Sequence, residues 1–198
     1  MYNWRKMTQE MRADVLKTRQ TQKLPWHSPP HIQGDNSEFH ITAACYEHHP
    51  IIGFSIERIR KLEETITQSF KLATEEIYAW SILPNYYHLL IKTTDLKSSL
   101  KKLHQIHGSS SYYWNKEENS RGRRVWFNAL EHAIKSERHF WATINYIHNN
   151  PVKHEYVKKW QDWPFSSFKS FLMDKGREET IRIWKEYDIS DMGKDWDN

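Results

Sequence analysis

Two short stretches carry side chains that could act on phosphorus. Asn85-Tyr86-Tyr87-His88 opens a strand-like run. Side chains alternate along a strand, so Tyr86 and His88 share one face and Tyr87 takes the other. A neutral imidazole on a sheet face is a ligand for a divalent cation. In Tyr146-Ile147-His148-Asn149-Asn150-Pro151, Tyr146 and Asn150 are four apart and on a helix point the same way. A phenol can attack phosphorus, and an amide oxygen beside it can bind a hard cation. Each residue also has an ordinary structural use. Histidines pack in aromatic strands, tyrosines near helix ends bury their rings, and Asn before Pro ends helices.

Between these stretches lie Lys97, Lys101, Lys102, Arg121, Arg123 and Arg124, together with Trp114 and Trp126. Phosphates attract such charges, and unpaired bases stack on aromatic faces. A solvated helix face and loop account for the same residues equally well. The chain has no Walker loop, dinucleotide fingerprint, zinc-type cysteine pair or HExxH, and no Gly-x-Ser-x-Gly elbow. Six glycines in 198 residues argue against a Gly-rich nucleotide site. Twenty-nine Lys+Arg against 25 Asp+Glu give a formal charge of +4, with 12 His besides. That balance permits nucleic-acid binding without establishing it. From Asp174 onward acids outnumber bases, so the tail opposes the general charge. One cysteine, Cys45, forms no intramolecular disulfide, and the N-terminus is charged, not an apolar signal. The expectation is a cytoplasmic protein with no membrane span.

Several elements must position these residues. Residues 8–22 can form a polar helix, and three prolines in 24–31 favour an extended arm. Residues 39–46 are rich in β-formers. Ser55 resembles an N-cap, and Ile56, Ile59, Leu62, Ile66 and Phe70 recur at helical spacing over 55–74. Strands over 77–83 and 86–92 flank a Pro84-Asn85 turn, as in an antiparallel hairpin. A helix runs from Leu96 to about Trp114, a polar loop follows, and Val125-Trp126-Phe127 reads as a short strand. Ser136 caps a helix over 137–149 that Pro151 terminates. Another helix covers about 177–187. This order matches an α+β ferredoxin-like sandwich, an antiparallel sheet with helices on one face. The expected divisions are an N-terminal helix and Pro-rich arm over 1–34, a core over 35–155, and a C-terminal extension over 156–198. In the extension, Trp160, Trp163, Phe165 and Phe168 form an apolar anchor back onto the core.

Three motifs in this order resemble the REP-associated tyrosine transposases, which belong to the single-tyrosine HUH transposases. They are Pro84-Asn85-Tyr86-Tyr87-His88-Leu89-Leu90, then Tyr146 to His154 (Tyr-Ile-His-Asn-Asn-Pro-Val-Lys-His), then Trp160-Gln161-Asp162-Trp163-Pro164-Phe165-Ser166-Ser167. Trp26-His27-Ser28-Pro29-Pro30-His31 and the stretch 39–46 fit one branch of that family, and the resemblance runs from about 26 to 187. It implies a nuclease core acting on single-stranded DNA and recognising palindromic hairpins. Two histidines flanking a hydrophobic residue bind Mg²⁺ or Mn²⁺, and a helix tyrosine attacks the scissile phosphate. The products are a 5′-phosphotyrosine link and a free 3′-OH. The resemblance makes Tyr146 the nucleophile, His88 the second histidine ligand and Asn150 the third ligand. Lys101, Lys102, Arg121, Arg123, Arg124, Lys153 and Trp126 are the expected DNA contacts. The partner is single-stranded or hairpin DNA, and the protein acts as a monomer or homodimer.

The sequence departs from the pattern at position 86, where the family's first histidine is Tyr86. A phenol with a pKa of about 10 stays protonated at neutral pH and is a poor Mg²⁺ ligand. Losing a ligand commonly costs about 10–100-fold. A strand-transferring enzyme is therefore the first expectation, and a weakened or inactive hairpin-DNA-binding protein the second. An RNA-binding domain on the same fold is a third, disfavoured by the lack of an aromatic RNP-type strand signature.

Overall fold

Side-chain alternation in a strand that starts at Glu38 decides the layering. A computed structural model describes residues 8–21, 37–190 and 192. The Pro-rich stretch 24–31 lies outside them. Strand β1 (Glu38–Ala44) sends Phe39, Ile41 and Ala43 to one face and His40, Thr42 and Ala44 to the other. Almost the whole strand is buried, so both faces are covered.

The first face meets two helices. Helix α2 (Ile56–Ala73) is capped by Ser55, whose hydroxyl accepts from the Arg58 N–H at 3.1 Å. It buries Ile59, Leu62, Ile66 and Phe70 at the spacing that predicted it. Helix α3 (Leu96–Glu117) starts at Asp95, which accepts from the Ser98 N–H at 2.9 Å. Its Leu96, Leu100, Leu103, Ile106 and Trp114 share a core with Phe39, Ile41 and Ala43. Tyr87, Leu89 and Ile91 of β3 (Tyr86–Lys92) and Ile82 of β2 (Glu76–Ile82) complete it.

The sheet runs β2-β3-β1-β4, antiparallel throughout, which is the ferredoxin-like order the element sequence predicted. The fourth strand is β4 (Leu130–Ala133), not 125–127. Around Trp126 the chain makes only an isolated bridge to Cys45, with Phe127 N–H donating to Ala44 O at 2.9 Å, and the continuous ladder on β1 begins at Leu130. The sequence predicts helices on one face of the sheet, but both faces of β1 are buried and helix α4 (Glu137–Lys153) covers the second. It continues through Pro151, which the sequence reading took as its end. In the last turn a proline withdraws one N–H, and the His154 and Tyr156 N–H groups still close on Asn150 O and Pro151 O.

Residues 160–187 close this second layer. Ile82 N–H donates to Phe165 O at 2.9 Å and Ser167 N–H to Trp80 O at 3.0 Å, so the Trp-Pro-Phe-Ser-Ser stretch pairs along the outer edge of β2. Trp163 donates its indole N–H to Ile82 O at 3.0 Å. Helices α5 (Phe168–Lys175) and α6 (Arg177–Glu186) follow, and Asn145 of α4 donates to Ile183 O and Tyr187 O. Helix α4 is therefore buried nearly all round. Described residues from 37 to 190 form one compact unit. Helix α1 (Gln9–Thr21), polar and begun by the Thr8 hydroxyl, belongs to a second unit.

A buried charge cluster ties α2 to the end of α3. Arg58, 5% exposed, donates to Ile51 O at 2.8 Å and Glu118 Oε1 at 2.6 Å, and it also pairs with Glu117. Arg123 grips Glu118 with two bonds of 2.8 and 2.9 Å. Hydrogen bonds from Arg123 first, and then Arg58, hold the Glu118 carboxyl down to about 2. A carboxylate depressed on folding stabilises above its unfolded value of about 4.3 and loses that contribution as pH falls towards its folded value. Glu118→Gln is expected to flatten the decline of stability between pH 4.5 and 2, read from urea melts at stepped pH.

Candidate active site

Three buried elements converge on the second face of the sheet. From β3 come Tyr86 and His88, and from α4 come Tyr146 and Asn150, one turn apart as their spacing predicted. The Tyr86 hydroxyl donates to Asn150 Oδ1 at 2.6 Å. The Tyr146 ring lies edge-on to His88, with centroids 5.2 Å apart. Spacing pairs Tyr86 with His88 and Tyr146 with Asn150, and the packing of α4 on β3 brings the two pairs together. Tyr146 is 1% exposed, and His88 and Asn150 are fully buried.

The third contributor is β1, which the sequence reading used only as a strand. Its register with β3 sets Thr42 opposite His88 and His40 opposite Leu90. His40 Nε2 lies 3.2 Å from His88 Nδ1, and Thr42 Oγ1 lies 2.9 Å from the same nitrogen. The His40 ring is also 6.1 Å from Tyr146 and 6.5 Å from His132 on β4. A signal for it existed: His40 and Thr42 are polar residues with strand spacing on one face of an otherwise apolar strand.

The donor types suit a divalent cation. Asn150 Oδ1 accepts from Tyr86 with one lone pair and keeps a second for a cation. Asn150 Nδ2 is buried with no hydrogen-bond partner among the described residues, so the amide is held in place through its oxygen. The Tyr86 ring that bonds Asn150 lies edge-on to the His88 imidazole, with centroids 5.2 Å apart. Among the described residues no group of three or more His, Cys, Asp or Glu could hold a metal, so any cation would rely on amide, hydroxyl or substrate oxygens as well.

The expected DNA contacts divide. Lys153 is exposed, and its ammonium lies 5.3 Å from the Tyr146 ring centroid. Lys101 and Lys102 sit on α3, on the opposite side of the sheet from Tyr146. Lys102 there lines a groove of about 650 Å³ between α2 and α3. Arg121 is exposed. Arg124 lies over the rings of Tyr46 and Phe127, at 4.7 and 5.5 Å. Two expectations need correcting. Arg123 is spent on Glu118 and Asn115 inside the charge cluster. Trp126 is 7% exposed, stacked on His107 at 4.2 Å and bonded to Ser110, so it offers no face to a base. Trp114 is likewise core, not a stacking platform.

Helix α4 is registered on the sheet by a neutral histidine. Burial pushes His148 down to about 3, and its Nε2 shares a 2.9 Å hydrogen bond with Ser167 Oγ. That hydroxyl also accepts from the Trp80 N–H of β2 at 2.9 Å.

No established protein-family model matches the chain. Two curated proteins do resemble it. A putative REP-associated tyrosine transposase of Haemophilus influenzae is 32% identical over 109 residues, covering 47% of this chain and 58% of its own length. A REP-associated tyrosine transposase of Escherichia coli K12 is 31% identical over 93 residues, covering 47% of this chain and 54% of its own length. The matches thus span little more than half of the curated relatives. A solved structure described as a REP-associated tyrosine transposase bound to a REP hairpin superposes with a TM-score of 0.53 at 23% identity. It covers 68% of this chain and 78% of the other. The fold is shared with that protein. Among the described residues no helix is long and apolar enough to cross a membrane.

Proposed function

This chain is related in sequence to the REP-associated tyrosine transposases, and on that premise we propose that it cuts and rejoins single-stranded hairpin DNA through Tyr146. The observation that carries the reading is the meeting of Tyr146 and Asn150 with His88 in one buried cluster. The Tyr146 oxygen attacks the scissile phosphorus and gives up its proton, and the bond to the 3′-oxygen breaks. The 3′-oxygen leaves as a hydroxyl once protonated, and the 5′-phosphate stays on the tyrosine. A 3′-OH attacking the same phosphorus reverses the step and joins strands. Mg²⁺ or Mn²⁺ held by His88 and Asn150 would polarise the phosphate. Asn150 fixes one edge of the site, and the Lys153 ammonium adds positive charge where the phosphate arrives. Because Tyr146 is almost fully buried, the side chains over it must move to admit a strand. The test is a denaturing gel of the protein incubated with labelled single-stranded hairpins and Mn²⁺. A covalent adduct is expected, and its absence with every palindromic hairpin tried overturns the reading.

One contact favours a second reading, a hairpin-binding protein weakened in cleavage. Tyr86 occupies the first-ligand position and also holds Asn150 Oδ1 at 2.6 Å. Tyr86→His removes that competing donor and adds an imidazole. It is expected to raise adduct yield about 10–100-fold at fixed Mn²⁺. An unchanged yield would show that Tyr86 does not limit the chemistry.

A further inference from the structure

We propose that His40, Thr42 and His88 form a divalent transition-metal site, with His40 on β1 supplying the imidazole that Tyr86 does not. The proposal deepens the reading of Tyr146 chemistry just given and rests on it for the purpose of the metal. Three donor atoms define the site: His40 Nε2, His88 Nδ1 and Thr42 Oγ1. Their separations are 3.2 Å between the nitrogens, 2.9 Å from Oγ1 to His88 Nδ1 and 3.5 Å from Oγ1 to His40 Nε2. Bonds of about 2.1 Å set about 90° apart place neighbouring ligand atoms about 3 Å from each other. The triangle therefore has the size of one face of an octahedron, two nitrogens and one oxygen, with the opposite face left for water and phosphate oxygens.

The donors stand on the two central strands, where the register is fixed on both sides. All three side chains are buried, so their positions are set by packing before any cation arrives. For both nitrogens to bind, His40 must carry its proton on Nδ1 and His88 on Nε2. The metal-free pair instead keeps a proton between the facing nitrogens, so binding shifts the tautomer of one ring. Two imidazoles favour nitrogen-binding metals such as Co²⁺ most, and of the two oxygen-preferring ions they favour Mn²⁺ over Mg²⁺, which demands a near-ideal octahedron and gives up its water reluctantly. Three neutral donors leave the cation's charge uncompensated, which suits a centre meant to meet a phosphodiester.

The test reads metal binding by the full-length chain without DNA. Mn²⁺ is titrated while its free signal is followed by electron paramagnetic resonance, with Mg²⁺ as competitor. One Mn²⁺ per chain is expected. His40→Gln, which keeps a polar side chain in the buried position, should weaken binding about 10-fold or more. Tyr86→His added to His40→Gln should restore it. Wild-type protein labelled with ¹⁵N-histidine gives a check that needs no variant: a bound diamagnetic ion, Zn²⁺, should shift the coordinated ring nitrogens His40 Nε2 and His88 Nδ1 together. Undiminished Mn²⁺ binding by His40→Gln, or a Zn²⁺-induced shift at His88 without one at His40 Nε2, overturns the proposal while leaving a cation on His88 and Asn150. No Mn²⁺ binding by the wild type overturns this site. An adduct that still forms in chelator would then overturn the metal chemistry too, and an adduct that forms only with added metal would leave Tyr146 and its metal standing without His40.

Discussion

Tyr146→Phe is expected to abolish the covalent DNA adduct, lowering it about 10⁴-fold or more, while leaving Mn²⁺ binding intact. The substitution deletes one oxygen and keeps the ring that packs against His40 and His88. Loss of a nucleophile removes the intermediate itself and not merely a share of its stabilisation, so effects of this size are usual. The paired readouts separate chemistry from collapse. A variant that lost both adduct and metal would point to a disturbed site, whereas loss of the adduct alone identifies the attacking atom. Residual adduct at wild-type level would mean that another residue carries the DNA, and Tyr86 would be the next to examine.

Arg58→Ala is expected to cost about 3 kcal/mol, enough to lower the thermal midpoint by roughly 6–12 °C for a unit of this size. The guanidinium is buried over Trp114 and Phe54 and bridges Glu117, Glu118 and a backbone carbonyl. Truncation opens a cavity between α2 and α3 and leaves the Ile51 carbonyl and one side of Glu118 unmet. Arg58→Met keeps the stem volume without the charge. If it melts with the wild type, packing and not the ion pairs accounts for the effect. Calorimetry on the two variants decides.

Periodic patterns made much of this architecture readable. The stripe from Ile59 to Phe70 gave α2, and the Pro84-Asn85 turn gave the β2–β3 hairpin. The pairing of Tyr146 with Asn150 needed only the helical period. What escaped had weak local signals. Leu130–Ala133 is a four-residue strand, half-buried throughout, so it shows no alternation to read. Pro151 reads as a stop in the sequence, yet α4 continues through it, because a proline in the final turn gives up little. His40 was missed for a different reason. It lies 48 residues from His88 and meets it only through β1–β3 register, which a local pattern does not encode. Trp126 and Arg123 were assigned to DNA from residue type alone, and burial and an ion pair claim them instead.

The bond between His148 and Ser167 bears on the order in which this protein folds during its own synthesis. Helix α4, which carries Tyr146 and Asn150, is docked on the sheet partly by a hydroxyl about twenty residues beyond Tyr146, on the stretch that also seals the edge of β2. A growing chain that has released Tyr146 but not yet Ser167 holds α4 without that anchor. The docking of α4 is therefore completed late, after the ribosome has translated well past Tyr146.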